Sequence, residues 1–306
     1  MNIFQINTVT AYNKLLGLET LHPLISVIDF SHINYADRIS KQQASSYTKG
    51  QMNLYAIFLK NLKCGNIAYG LKSYDYEEGS LIFMAPGQVF SVEAKDMQGD
   101  KAGMAIVFHE DLLRNTTLGQ HINEYGFFMY ESREALHLSA RERLIINTCF
   151  ENLQYEISHA IDSHTKTLII SYLELFLNYC KRFYERQFNT RTHVNKDILT
   201  RFEALVKEYF SSDSPMEKGL PSVAYCAEQL FISPNYLSDL LRKETGKSAQ
   251  EHIHLKMIEL AKQKIFDTRK SISDIAYELG FKHPQHFTRM FKRSVGVSPG
   301  EYRLMG

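Results

Sequence analysis

The stretch GFKHPQHFTRMFKR, residues 280–293, predicts an amphipathic helix near the C-terminus. Its apolar residues Phe287, Met290 and Phe291 fall at i, i+3 and i+4, so they share one helix face. The opposite face carries polar and charged side chains, namely Gln285, His286, Thr288, Arg289, Lys292 and Arg293. A face of this kind is usually just solvated, and this stretch alone does not distinguish a solvated face from a binding face.

The same pattern occurs earlier in the chain, in FISPNYLSDLLRKETGKSAQEHI, residues 231–253. An offset of 50 residues relates the two stretches from Leu237 and Phe287 onward. Further equivalent pairs are Leu240 and Met290, Leu241 and Phe291, Arg242 and Lys292, Gly246 and Gly296, and Ser248 and Ser298. Upstream, AEQL ending at Leu230 matches AYEL ending at Leu279 with an offset of 49, so the two turns differ by one residue.

Each copy has the order of a helix-turn-helix: a short amphipathic helix, a tight turn and a second amphipathic helix. Ser233 and Pro234 favour the start of the second helix in the first copy, and Pro284 does so in the second. Gly246 and Gly296 follow the ends of these helices, where a left-handed residue is favoured.

A single helix over residues 248–266 is predicted to connect the two copies. Its apolar stripe consists of Ile253, Met257, Leu260, Ala261 and Ile265. Two equivalent helices held apart by a stiff spacer suit a target that itself repeats, and the major groove of B-DNA recurs roughly every 34 Å. The repeat therefore favours a binding face over a solvated one.

The composition of the 306-residue chain is that of an ordinary globular protein with room for two domains. Hydrophobic residues make up 44% and charged residues 23%. The net charge of +1 does not indicate a polyanion partner. From Asn195 onward, however, 17 Lys and Arg face 14 Asp and Glu, which gives this part a net charge of +3.

The cysteines and the apolar segments predict a soluble cytoplasmic protein without membrane contact. Cys64, Cys149, Cys180 and Cys226 lie far apart without CxxC spacing, which favours reduced thiols over disulfides or a zinc site. The N-terminus lacks the pattern of a signal peptide. The most apolar helical window, residues 168–180, is too short to span a bilayer.

The N-terminal half predicts strands followed by helices. Residues from about 24 to 130 show short β-branched and aromatic runs separated by glycines and Pro86, which is typical of a sandwich or barrel. Ser139 and Glu142 form a capping-box pattern at the start of a helix. A second helix is predicted from about residue 163 to 188. Its stripe, the expected dimer surface, consists of Leu168, Tyr172, Leu175, Phe176 and Tyr179.

The polar segment 189–197 lacks periodicity and is predicted to be a linker. The expected organisation is therefore a regulatory and dimerisation domain over residues 1–188, the linker, and a DNA-binding domain over residues 198–306. The expected fold class is α+β.

Residues 276–303 carry the pattern A-Y-E-L-G-F-x-x-x-x-x-F-T-R-x-F-K-R-x-x-G-x-S-P-x-x-Y-R. With it, the last hundred or so residues resemble the AraC-type family of bacterial transcription regulators. The resemblance implies two helix-turn-helix units bridged by a long helix. It also implies a companion domain, a cupin-like β-barrel followed by helices used for dimerisation, which the N-terminal half resembles only in pattern.

The function implied by the resemblance is sequence-specific binding of double-stranded DNA, with two recognition helices in successive major grooves. The expected protein is a homodimeric activator and not an enzyme. RNA polymerase and an unidentified small-molecule effector are further candidate partners.

Carried over by position, the base-facing residues of the family are Asn235, Ser238, Asp239, Pro284, Gln285, His286, Thr288 and Arg289. Pro284 and Asp239 depart from what DNA contact favours, because the first has no donor and the second repels phosphates. The residues expected to meet phosphates are Arg242, Lys243, Lys292 and Arg293. For each of these residues, an idle surface position is the alternative.

No metal, cofactor or catalysis is expected from the N-terminal half. Metal-using cupins place histidines in a strand pair whose counterpart here, residues 72–92, contains none. His109, His121 and His137 are scattered without metal-ligand spacing. Two alternatives stay open: a small-molecule-binding or catalytic cupin whose helical tail contacts proteins, and architectural DNA binding without sequence preference.

Overall fold

The structure, a computed structural model, describes residues 4–33, 48–60, 68–69, 72–73, 79–92 and 103–305. The chain divides into two compact units, Met1–Thr190 and Arg191–Gly306. The first unit combines strands and helices and the second is helical, so the fold class is α+β, as predicted. No helix among these residues is both long and apolar enough to cross a membrane.

The strands of the first unit form sheets whose central members are buried. In the described ranges, the strands are β1 (Phe4–Ile6), β2 (Ile25–Asp29), β3 (Thr48–Met52), β4 (Tyr55–Lys60), β5 (Ala68–Tyr69), β6 (Lys72–Ser73), β7 (Ser80–Met84), β8 (Gln88–Val92), β9 (Gly103–Phe108) and β10 (Leu136–His137). One sheet has the order β10-β7-β4-β9-β2, a second has β1-β3-β8, and β5 pairs with β6. In the first sheet, β4 lies antiparallel to both β7 and β9, which places Ile57 opposite Phe83 and Ile106.

The stretch from His109 to Ala135 is helical where strands were predicted as far as about residue 130. It contains α2 (Thr117–His121) and short 3-10 helices at Glu110–Leu113, Ile122–Glu124, Gly126–Met129 and Ser132–Glu134. Aromatic residues such as Phe127 and Phe128 suit either structure in so short an apolar run, so their composition misled the prediction. Both pack their rings against Phe83 of β7.

Three helices complete the first unit: α1 (Val9–Leu16), α3 (Ala140–Ile157) and α4 (Thr165–Thr190). The predicted capping box is confirmed, since the Ser139 side chain accepts from the Glu142 backbone and the Glu142 side chain accepts from the Ser139 backbone. α3 packs against α4 and β2.

The predicted dimer stripe on α4 needs one correction. Phe176 is fully buried and packs edge-on against Phe150 of α3, with ring centroids 5.6 Å apart, so it belongs to the core. The other four residues of the stripe lie along the border between the buried and the exposed face of α4. Leu168 and Leu175 are exposed, whereas Tyr172 and Tyr179 are half-buried.

The second unit consists of helices that pack around two small cores. Its helices are α5 (Thr192–Ser211), α6 (Ser214–Lys218), α7 (Val223–Leu230), α8 (Pro234–Thr245), α9 (Ala249–Ile265), α10 (Ile272–Glu278), α11 (Pro284–Val295) and α12 (Pro299–Arg303). The residues 189–197, predicted as linker, form the end of α4, the N-cap of α5 at Arg191 and the first turns of α5. Not all of these polar residues face the solvent, since Asn195 is fully buried and its Nδ2 donates to Glu244 Oε1 at 3.1 Å.

Both cores are built from the residues that the repeat predicted. Leu237 and Leu241 of the first copy are fully buried, as are Phe287 and Phe291 of the second. The stripe of α9 contributes to the second core through Met257, Ala261 and Ile265. α9 therefore packs as one continuous helix between the copies, as predicted.

Candidate nucleic-acid interface

Helices α7 and α8 form the first helix-turn-helix. Ser222 caps α7, its Oγ accepting from the backbone of Tyr225 at 3.0 Å. The turn passes through Phe231, whose φ of 60° lies in the left-handed region. Ser233 caps α8 by accepting from the backbone of Tyr236 at 3.2 Å, and Pro234 fills the first turn.

Helices α10 and α11 form the second helix-turn-helix, with the same order of elements. Ser271 and Asp274 make a capping box at the start of α10. The turn passes through Gly280, with a φ of 92°, at the position equivalent to Phe231. Pro284 occupies the first turn of α11, whose N-cap residue His283 makes no side-chain capping bond.

Both α8 and α11 end as the sequence predicts. Gly246 and Gly296 adopt φ values of 76° and 93°, and their backbone N–H groups donate to Arg242 and Lys292. Because any residue with a Cβ is strained in this conformation, the two glycines fix the length of each second helix.

The predicted DNA-contacting residues lie on the outer faces of α8 and α11. Those with exposed side chains are Asn235, Arg242, Lys243, Gln285, His286, Arg289, Lys292 and Arg293. Half-buried members of the set are Ser238, Asp239, Pro284 and Thr288. The Thr288 hydroxyl donates to the Pro284 carbonyl at 3.1 Å, which leaves its oxygen as an acceptor.

Charged groups are arranged differently on the two helices. On α8, Arg242 Nη1 lies 3.4 Å from Asp239 Oδ1, one turn away. α11 contains no acidic residue. At its start, the rings of His283 and His286 have centroids 5.6 Å apart.

A set of contacts that sequence reasoning missed fixes α9 to the second helix-turn-helix. Arg303 of α12 donates from Nε to the Ile265 carbonyl at 2.6 Å and from Nη2 to the Lys270 carbonyl at 2.9 Å. Glu278 of α10 accepts from Lys264 at 2.6 Å and also from Lys270. In the sequence, the closing Y-R of the motif was the only sign of this arrangement, and it did not show which residues Arg303 contacts.

The same contacts lower the pKa of the Glu278 carboxyl. Its burial alone raises the pKa of the carboxyl, but the hydrogen bonds and charges of Lys264 and Lys270 together lower it below the usual glutamate value. Glu278 is therefore ionised at neutral pH and joins α9, the following loop and α10.

The three histidines considered as metal ligands each have a local hydrogen bond in the first unit. His137 is buried with its Nδ1 2.8 Å from Ser80 Oγ, and His109 Nδ1 accepts from the Asp111 backbone at 3.1 Å. His121 Nδ1 lies 2.9 Å from the Thr117 carbonyl. No three His, Cys, Asp or Glu side chains form a metal-type cluster in the described part of the chain.

The second compact unit, Arg191–Gly306, contains two helix-turn-helix motifs of equivalent design that are bridged by one helix. It is therefore a double helix-turn-helix domain. Residues 226–305 match a family model described as a helix-turn-helix domain. Over 81 residues the chain is 33% identical to the arabinose operon regulatory protein of Escherichia coli, covering 26% of this chain and 28% of that protein. The second unit belongs to the AraC-type family of helix-turn-helix domains, as the sequence predicts.

Two longer matches extend beyond this unit. The HTH-type transcriptional regulator YtdP of Bacillus subtilis is 25% identical over 235 residues, covering 65% of this chain and 30% of YtdP. YfiF of the same organism, also named an HTH-type transcriptional regulator, is 30% identical over 160 residues, covering 52% of this chain and 45% of YfiF. The chain thus spans less than half the length of both relatives.

Proposed function

We propose that the chain is a sequence-specific DNA-binding transcriptional regulator that inserts α8 and α11 into successive major grooves. The observation that carries the proposal is the repeated helix-turn-helix, with polar side chains on the outer face of both second helices. α9 has 17 residues and spans about 26 Å at 1.5 Å per residue. A spacer of this size is compatible with a groove that recurs roughly every 34 Å.

Base discrimination is assigned to the residues nearest the start and middle of each helix. Arg289 can donate to both guanine O6 and N7, and Gln285 can pair with adenine N6 and N7; each such pair discriminates by ~1–3 kcal/mol. Asn235 offers the same amide chemistry on α8, and Pro284 offers apolar contact with a thymine methyl group. Asp239 can accept from cytosine N4. Ser238, His286 and Thr288 complete the base-reading set.

Positioning on the duplex is assigned to the cations toward the end of each helix, which are Arg242, Lys243, Lys292 and Arg293. Contacts of this kind to phosphates set register and carry no sequence information directly. They also make affinity fall steeply with salt.

The N-terminal residues 1–188 are assigned a regulatory and dimerisation role in a cupin-like domain. The five-stranded antiparallel order and the helices that follow it support this role. Leu168, Tyr172, Leu175 and Tyr179 of α4 are the proposed dimer surface, without the buried Phe176. The dimer would act as an activator, with RNA polymerase and a small-molecule effector as further partners.

Selecting duplexes from a random pool with the full-length chain tests the DNA-binding role. Two half-motifs about 10 base pairs apart are expected. Arg289→Ala should relax the preference at one position, whereas Lys292→Ala should weaken binding to all sequences alike. Equal affinity for selected and random duplexes at moderate salt would instead indicate architectural binding.

Sedimentation equilibrium tests the dimer surface. Leu175 is 47% exposed, so Leu175→Arg should weaken dimerisation without unfolding the protein. Lys181→Gln, an exposed position on the other side of α4, is the matched control and should leave the dimer intact. A monomeric wild type, or a dimer that tolerates Leu175→Arg, would contradict the assignment.

A further inference from the structure

The two recognition helices differ in net charge. α8 contains Arg242 and Lys243 against Asp239 and Glu244, so its net charge is zero. α11 contains Arg289, Lys292 and Arg293 and no carboxylate, so its net charge is +3. With the repeat offset of 50, Asp239 corresponds to Arg289. The charge at this equivalent position is therefore reversed between the two helices. Only on α8 do acidic residues compensate the charge of the cations.

One of the two cations of α8, Arg242, lies close to carboxylates. Arg242 Nη1 is 3.4 Å from Asp239 Oδ1. Glu251 of α9 is close enough to Arg242 for that charge to contribute to lowering the Glu251 pKa, after the hydrogen bonds from Ser248. A phosphate that approaches Arg242 therefore also meets the repulsion of Asp239, which has no acidic counterpart on α11.

The cations of α11 are exposed and have no acidic residue on their own helix. Arg289, Lys292 and Arg293 form no salt bridge within the described ranges. Glu301 of α12 is the counterpart of Glu251 at the repeat offset of 50, and the charge of Lys292 contributes to lowering its pKa after the hydrogen bonds from Ser298. The Glu301 carboxylate accepts from the Ser298 backbone at 2.7 Å, so it is held at the start of α12.

We propose that α11 supplies most of the charge-driven affinity for DNA, and that α8 contributes base discrimination with little net attraction to phosphates. The proposal deepens the proposed function and rests on it. Each phosphate that a cation neutralises contributes about 0.9 to the slope of log K against log salt. A helix of net charge zero contributes little to this slope even when it fits the groove, because its own carboxylates offset the gain.

Equilibrium titration of the full-length chain with its selected duplex, at several salt concentrations between 50 and 200 mM, tests the proposal. The repeat provides matched double variants, Lys292→Gln with Arg293→Gln and Arg242→Gln with Lys243→Gln. The first pair should reduce the magnitude of the slope by about 1.8, which corresponds to two phosphate contacts. The second pair should reduce it by less than about 0.9. All four side chains are exposed, so thermal melting should show that both variants keep the fold.

The possible outcomes separate the two proposals. If the wild type binds its selected duplex and both double variants lose the same slope, or the α8 variant loses more, the asymmetry is overturned while the DNA-binding role stands. If the wild type prefers no duplex over a random pool, the proposed function fails and the asymmetry fails with it.

Discussion

Asp239 and Arg242 are held 3.4 Å apart on α8, whereas the equivalent positions of α11 carry two cations, Arg289 and Lys292. The pair lies on the outer face, with Asp239 half-buried and Arg242 exposed. An exposed ion pair of this kind stabilises a helix by only a few tenths of a kcal/mol. The larger effect of this ion pair is on the electrostatic field that an approaching DNA duplex meets.

Asp239→Asn is expected to strengthen binding to all duplexes and to reduce the preference for the selected one. The substitution removes a negative charge from the groove-facing surface and leaves Arg242 available to a phosphate, so the salt slope should become steeper by up to about 0.9. Titrations with selected and random duplexes at several salt concentrations measure both effects.

Glu259→Gln is the control for this experiment, because it removes an equal charge from an exposed position on α9. If both variants strengthen binding equally, the effect is one of total charge, and Asp239 has no local role at the interface.

Gly280→Ala is expected to lower the free energy of unfolding by about 2 kcal/mol or more. A Cβ at this position would lie 2.8 Å from the Gly219 carbonyl carbon and 2.9 Å from the Pro215 carbonyl oxygen, and these backbone atoms cannot easily move away. The φ of 92° adds strain of about 1–2 kcal/mol for a residue with a side chain. Denaturant unfolding at constant m-value measures the loss.

Phe231→Gly is the matched substitution in the first copy. Phe231 occupies the equivalent left-handed position with a φ of 60° and is 69% exposed, so little packing is lost. Relief of backbone strain is offset in part by the greater freedom of glycine in the unfolded chain. The expected change is a stabilisation of less than about 1 kcal/mol. Marked destabilisation would show that the Phe231 side chain is needed for folding.

The repeat, the caps and the family were predictable from the sequence because each depends on residues close together in the chain. Ser233, Gly246 and Gly296 have the same local role in any helix of this kind. Their positions alone define where α8 and α11 begin or end.

The remaining errors arise from contacts between distant segments. Polarity predicted residues 189–197 to be a linker, but Asn195 is buried and donates to Glu244, 49 positions away. Phe176 lies within the apolar stripe of α4, yet Phe150 of α3 determines that it faces inward. No local pattern contains this information.

Glu278→Gln is expected to destabilise the protein at neutral pH and to have a smaller effect in acid. Because its folded pKa is lowered, the contribution of Glu278 is complete above the ordinary value of 4.5 and is lost as pH falls through the folded pKa. The difference in unfolding free energy between wild type and variant should thus be constant from pH 7 to about 5.5 and then shrink.

Chemical denaturation across this pH range measures the effect. Glu259→Gln again serves as control, since Glu259 pairs with Lys256 on its own helix and is largely exposed. A difference between wild type and Glu278→Gln that is independent of pH down to pH 3 would contradict the role of the ionised carboxylate.

Arg303→Ala is expected to destabilise the second unit by about 1.5–3 kcal/mol, the range for hydrogen bonds from a charged donor. The guanidinium donates to the carbonyls of Ile265 and Lys270, so its loss leaves the end of α9 and the following loop without these donors. A cation at the C-terminal end of a helix is also favoured by the helix dipole.

Arg269→Ala in the same loop is the matched control. Its side chain is 88% exposed and pairs with Asp267, two residues away, so the expected change is within about 0.5 kcal/mol. Arg303→Lys should fall between the two, because lysine keeps the charge but cannot reach both carbonyls with a planar group. If Arg303→Ala unfolds no more easily than Arg269→Ala, the two hydrogen bonds of the guanidinium do not contribute to holding α9 to the second helix-turn-helix.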